Sequence, residues 1–254
     1  MAILAPVQRP ILIACEPPEL LVDDRAFPCP YLPSRTARLP MRLPGRSLER
    51  DELSLRLASG DRRQGLFLYR TACPSCRACE PLRIELSAFE PSKTQRRTYR
   101  RGEELIETRV GKPAVTPERI ALYNRHKIER GLLVRGDLID AIGYEDFLVE
   151  SCVETIEITY RIGRKLIGVA IADRAADALS AVYCYFDPAH EKLSPGTYSI
   201  LKMAELCREW GLRYLYLGLY VAGSRTMAYK ARFLPHERLI GGEWRRFERS
   251  ASDQ

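Results

Sequence analysis

Residues 73–79, "CPSCRAC", set three thiols at two-residue spacing. A Cys-x-x-Cys turn aims its sulfurs at one point, which suits a thiolate-binding metal or a redox pair. Of the eight cysteines, Cys207 falls at helical spacing with Ile200, Met203 and Ala204 and reads as core, while Cys184 alternates with Val182 and Phe186 as a buried strand position. Cys29 sits in a Pro-rich stretch where no core periodicity explains it. That makes it the candidate fourth ligand to Cys73, Cys76 and Cys79. A group of reduced, unliganded thiols is the plainer alternative.

Three other stretches can handle anions. "SKTQRRTYRR" (residues 92–101) carries Lys93, Arg96, Arg97, Arg100 and Arg101 with no acid among them. It reads either as a phosphate-binding stripe with Tyr99 interleaved for stacking, or as a solvated helix face. "LSPGTYS" (residues 193–199) places Ser194 to cap a helix, with Pro195 and Gly196 in its first turn. The N–H groups there can meet a phosphate or a developing oxyanion, or simply open an ordinary helix. "SRTMAYKARFLPHE" (residues 224–237) concentrates Arg225, Tyr229, Lys230 and Arg232, which can hold a carboxylate or phosphate. The preceding strand puts Tyr214, Tyr216, Gly218 and Tyr220 on one face and leucines on the other, so the leucines are expected inward and the tyrosines outward.

The elements that must position these residues can be read from periodicity. The chain has 254 residues, 46% of them hydrophobic, enough for one or two domains, and a net charge of +7. The apolar start is interrupted by Pro6, Arg9 and Pro10, too broken to span a bilayer, so a cytoplasmic protein with thiols rather than disulfides is expected. Residues 27–46 carry so many prolines that regular structure is not expected there. A short helix before Gly60 and two strand-like runs flanking the cysteines follow, then the basic helix and a breaker at residues 111–115. Thr116, Pro117 and Gly131 bound another helix. From residue 153 the period becomes two: strands over 153–162, 165–174 and 178–187, then a helix through Trp210, then a strand over 213–221. The expectation is an α+β chain: a small cysteine-containing domain with the basic helix (residues 1–104), then an acyltransferase domain of the GNAT type (residues 105–254).

Several stretches together resemble the aminoacyl-tRNA–protein transferases of the N-degron pathway, which include arginyltransferases and the bacterial aspartate/glutamate leucyltransferases. They are "CPYLPSRTARL" (29–39), "YRTACPSCRACEPLRI" (69–84), "FEPSKTQRR" (89–97), "LSAVYCYFDP" (179–188), "LSPGTYSILK" (193–202), "YLYLGLYV" (214–221) and "MAYKARFLPHE" (227–237). Pro195, the Leu219-Tyr220 pair and Gly102 depart from the pattern, where Leu, Tyr-Trp and Asn are expected. The resemblance implies transfer of an aminoacyl group from charged tRNA to the α-amine of proteins beginning with Asp or Glu, marking them for degradation. It implies aminoacyl-tRNA and protein partners, with no DNA or membrane. It also implies that Cys29, Cys73, Cys76 and Cys79 hold an iron–sulfur cluster or zinc that the transfer itself does not require.

An aminoacyl ester is already activated, so its aminolysis needs orientation, oxyanion stabilisation and a proton path. Tyr216, Asp187 and Ser194 are the candidate catalytic residues. Lys230, Arg232, Tyr229, Gly196, Tyr198 and Tyr220 are the candidate substrate contacts, and Lys93, Arg96, Arg97, Arg100 and Arg101 the candidate tRNA contacts. Leucine is the expected donor group. Arginine would need a buried carboxylate, for which Asp173, Asp187 and Glu205 are the candidates. Two rivals of other classes are a non-catalytic zinc-knuckle RNA-binding protein and a coenzyme A-dependent acetyltransferase. The first leaves the loops after residue 180 without a role, and the second calls for a longer Gly-rich loop than "SPGT".

Overall fold

Thr116 accepts from the Arg119 N–H, and Ser92 and Gln95 form a reciprocal capping box, so two helices begin where their cap residues put them. The computed structural model describes residues 10–133 and 138–249; the first nine residues of the apolar start lie outside them. The first part of the chain gives β1 (Ile11–Ile13), β2 (Glu19–Asp23), β3 (Ala26–Pro28), β4 (Thr36–Arg38), β5 (Met41–Pro44), α1 (Arg50–Ala58), β6 (Arg62–Gln64) and β7 (Phe67–Tyr69). Strands β1-β2-β5-β7-β6 form one small sheet and β3-β4 a separate pair. The Pro-rich stretch therefore does hold three short strands, against expectation. Pro28 and Pro44 each close a strand, where a missing N–H costs least.

The main sheet has eight strands in the order β15-β14-β8-β13-β12-β11-β10-β9. They are β8 (Glu80–Glu85), β9 (Glu107–Gly111), β10 (Thr155–Ile162), β11 (Lys165–Arg174), β12 (Ala178–Phe186), β13 (Tyr214–Tyr220), β14 (His236–Ile240) and β15 (Glu243–Phe247). Strands β10 to β12 are antiparallel, and β12 then runs parallel to β13 through the crossover helix α5 (Pro195–Glu209). Strand β8 inserts beside β13, so the segment before residue 104 contributes to the main sheet. A Gly241-Gly242 turn, both residues at positive φ, closes the β14-β15 hairpin.

Helices cover both faces. On one, α5 packs Tyr198, Leu201, Met203, Ala204 and Cys207 onto Ile84, Ile158, Ile167 and Leu215, so Cys207 is core as expected. The basic helix α2 (Lys93–Leu105) lies against α5 at Gly102. A Cβ there would come 2.2 Å from the Tyr198 ring, so only glycine permits this approach. On the other face, α3 (Pro117–Glu129) and α4 (Ala141–Tyr144) cover Val169, Ile171 and Tyr185, while α1 covers Tyr214 and Tyr216. Both faces of β13 are thus buried, and its tyrosines are not outward as the alternation suggested. A central strand has no solvent face. No helix among the described residues is long and apolar enough to cross a membrane.

Candidate active site

Strands β12 and β13 pair only over Ala178–Ser180 with Tyr214–Tyr216, although β12 continues to Phe186 and β13 to Tyr220. Beyond Ser180 the two strands part. The cleft runs ~17 Å along β12 at the usual strand rise. Residues 181–184 are partly exposed, whereas the neighbouring β11 is buried from Leu166 to Asp173. Backbone groups at the fork are satisfied by side chains in place of a ladder. Arg62 Nη2 donates to the Ala181 carbonyl (2.8 Å) and Arg62 Nη1 to Ser180 Oγ (3.1 Å). Lys230 Nζ donates to the Leu219 carbonyl (2.8 Å).

These two cations dominate the electrostatics. Arg62 is 7% exposed and Lys230 8%, and among the described residues no carboxylate lies within ion-pair distance of either. Burial, with Arg62 beside it, pushes the Lys230 pKa down to about 7. Between them lies Gly218, at φ +82. A Cβ there would stand 3.2 Å from Arg62 Nη2 and 3.4 Å from Lys230 Nζ. The glycine therefore serves both the left-handed backbone and the close approach of two charges.

The far end of the cleft meets the start of α5. Ser194 is the N-cap residue but lies in the left-handed region (φ 53), and its hydroxyl makes no capping bond. The expected side-chain cap is absent, and Pro195 brings no N–H. Among the described residues the Gly196 and Thr197 N–H groups have no protein acceptor. A Cβ on Gly196 would lie 3.6 Å from the Phe186 ring, so this helix end abuts the last residue of β12. Tyr229 is 39% exposed. Its phenol is nevertheless crowded near Cys184 and Arg130, and that desolvation raises its pKa to about 12.

Other expected site residues fall elsewhere. Tyr216 turns into the cluster under α1, where its hydroxyl accepts from Arg83 (3.1 Å). Asp187 is fully buried: Oδ1 accepts from the Ala189 N–H (3.1 Å), and Oδ2 meets Lys165 (2.7 Å) and Arg125 (3.2 Å). Burial alone would raise its pKa, but these partners hold it below the usual value. Both oxygens are occupied, so Asp187 clamps the end of β12 and is not poised to relay a proton. Tyr198 is buried against α2, with its hydroxyl on Glu103 (2.6 Å) and Thr108 (3.0 Å). Tyr220 stacks under Arg238 (4.7 Å). Arg232 is exposed and does not join Lys230. Arg62 takes that place, and sequence reasoning missed it. Its only trace was the "DRR" run (residues 61–63) after Gly60, in which nothing separates a buried arginine from a surface one.

The Cys79 thiol is raised to about 11, chiefly by burial and then by Cys73, Cys29 and Cys76, so the four thiols share one neighbourhood. Arg77 ties the turn by donating to the Cys73 (2.5 Å) and Cys76 (2.9 Å) carbonyls. Among the described residues, however, no three Cys, His, Asp or Glu groups stand ready to hold a metal ion. Burial raises the Tyr31 phenol to about 12, with Tyr69, Cys79, Cys29 and Arg62 also near it.

The cations Lys93, Arg96, Arg97, Arg100 and Arg101 are exposed along α2, and none appears in an ion pair among the described residues, where most other arginines are paired. Arg96 donates only to the Pro91 carbonyl (2.6 Å).

Comparison with known proteins shows a likeness of fold and a family. The C-terminal domain of a protein from Agrobacterium fabrum assigned as a lysylphosphatidylglycerol synthetase is 16% identical, with a TM-score of 0.50 over 67% of this chain and 59% of that one, which is a likeness of fold. The aspartate/glutamate leucyltransferases of Thiobacillus denitrificans and Chromobacterium violaceum are each 37% identical, covering 87% and 86% of this chain and 92% and 90% of theirs. Residues 27–97 match the family model for the N terminus of arginine-tRNA-protein transferase, and residues 118–240 that for its C terminus. The chain belongs to the arginine-tRNA-protein transferase family.

Proposed function

We propose that this enzyme transfers a leucyl group from charged tRNA to the α-amine of proteins that begin with Asp or Glu. The observation that carries the acceptor assignment is the pair of buried cations at the strand fork, Arg62 and Lys230, which among the described residues have only neutral acceptors. Two desolvated cations without a counter-charge favour an incoming carboxylate strongly. The acidic side chain at the fork holds the attached α-amine in that half of the cleft, so the donor ester extends to it from the start of α5.

The chemistry there is a single exchange. The amine nitrogen bonds to the ester carbonyl carbon, the carbon–oxygen bond to the tRNA ribose breaks, and one proton passes from nitrogen to the departing oxygen. An α-amine has a pKa near 8, so a useful fraction is neutral at about pH 7. The Gly196 and Thr197 N–H groups, at the other end of the cleft from the fork, suit a phosphate of the donor's acceptor end. The splayed parallel pair after three antiparallel strands and a crossover helix supports a GNAT-like reading of this half.

Leucine is favoured as the donor on charge grounds as well as by the relatives' name. Asp173 is paired with Arg63, Asp187 with Lys165, and Glu205 with Lys202. None of the three is left to meet a guanidinium. The cations of α2, unpaired among the described residues, suit tRNA phosphates, and a charged-tRNA donor supports a cytoplasmic reaction. Cys29, Cys73, Cys76 and Cys79 are chemically suited to zinc or an iron–sulfur unit as thiolates, once the loops draw them closer. Purified protein given an Asp-initiated peptide with leucyl-tRNA, then with arginyl-tRNA, should add a leucine-sized mass only. An arginine-sized increment alone would overturn the donor assignment.

A further inference from the structure

On the side of the sheet that carries α2 and α5, the two helices leave a groove of about 640 Å³. Its open apolar floor is Pro91 and the edge of Tyr99, over a nearly closed layer of Phe89, Leu201 and Ala204, and Arg96, Arg100 and Arg208 stand on its rim. The volume suits a small-molecule-sized group, within the roughly 300–1,000 Å³ common for such sites. Arg208 donates to the Phe89 carbonyl (2.9 Å) and lies over that ring, while Arg96 donates to the Pro91 carbonyl. No rim arginine pairs with a carboxylate among the described residues. The one acid in the lining, Glu205, is taken by Lys202 (2.7 Å) and the Tyr99 hydroxyl.

We propose that this groove receives an unpaired nucleotide of the donor tRNA, with its base on the apolar floor and its flanking phosphates on Arg96, Arg100 and Arg208. The inference rests on the charged-tRNA reading above and adds a defined site to it. A nucleotide joins one negative charge to one planar, weakly polar face, which is the combination the groove offers. Lys93, Arg97 and Arg101 extend the positive stripe along the same helix, as a continuing polyanion requires. A single strand can turn its base outward, whereas a duplex keeps its bases stacked.

The test uses the full chain and three RNA probes: a charged leucyl-tRNA, a short single strand carrying one photoreactive pyrimidine, and a blunt duplex of equal charge. The crosslink to the wild-type protein is expected in the peptides that contain Pro91 or Tyr99. Arg208→Gln, at an exposed position, is expected to lower the salt slope of single-strand binding by about one unit and leave duplex binding nearly unchanged. A crosslink elsewhere, or equal weakening of both probes, would overturn the site. So would a higher KM for the acidic peptide with RNA affinity intact, which would make the groove a protein-docking surface. Leucyl transfer by the wild type is scored separately. Its absence with a crosslink in the groove defeats the proposed reaction and leaves an RNA site, and its presence without the crosslink defeats this inference alone.

Discussion

Arg62 and Arg63 are neighbours in one short strand, and both are buried, yet the structure gives them opposite surroundings. The two-residue period of β6 sends them to opposite sides. Arg63 Nε lies 2.9 Å from both oxygens of Asp173, which also accepts from Thr155, and Arg63 further donates to the Gly65 and Glu150 carbonyls. Arg62 has one hydroxyl and one carbonyl. What separates frame from site here is whether a buried charge finds its counter-charge inside the protein.

The sharpest break of that contrast is on stability. Arg63→Ala strands the buried Asp173 and is expected to cost about 3–5 kcal/mol, read from the denaturant midpoint. A loss under about 1 kcal/mol would mean that this pair is no more structural than a surface one. Arg62→Met should shift stability far less but weaken the acidic acceptor by ~1.5–3 kcal/mol, the range of a charge-assisted hydrogen bond, seen as a raised KM for an Asp-initiated peptide. An equal rise in KM for tRNA would place Arg62 on the donor instead. Gly102→Asn forces a side chain into the Tyr198 ring and should destabilise by about 1–3 kcal/mol without changing turnover per folded molecule. The smallest effect concerns pH. Burial lowers the Lys230 pKa to about 7 from 10.5, so between those values the unfolded chain holds a proton that the folded chain lacks. Stability from this group therefore rises with pH across that window, and Lys230→Met should flatten the slope in pH-resolved melting. A carboxylate at the fork draws Lys230 back to its charged form, so peptide binding should take up protons in buffers above pH 7.

Much of the frame is legible because it rests on local signals. Thr116 and Pro117 start α3, Ser92 starts α2, and the period-two runs become β10, β11 and β12. Lys230 stands out in the sequence as a candidate anion contact. Its partner does not, because Arg62 arrives from a separate small sheet, and only the three-dimensional fork makes it a neighbour of Ser180 and Gly218. Asp187 misleads for the same reason. From sequence it is a polar residue at a strand end, and Lys165 and Arg125, which occupy it, come from two other elements. The tyrosines of β13 mislead because alternation alone cannot tell a central strand from an edge one.

The central claim is that the Arg62–Lys230 pair reads the acidic side chain of the acceptor. The most direct measurement compares kcat/KM for Asp-initiated and Asn-initiated peptides, with leucyl-tRNA as donor, in wild type and Arg62→Met. The account predicts a strong preference for Asp in the wild type that collapses in the variant, through loss on Asp with little change on Asn, since the two peptides differ in charge and hardly in shape. An unchanged preference in a folded, active Arg62→Met protein would contradict it.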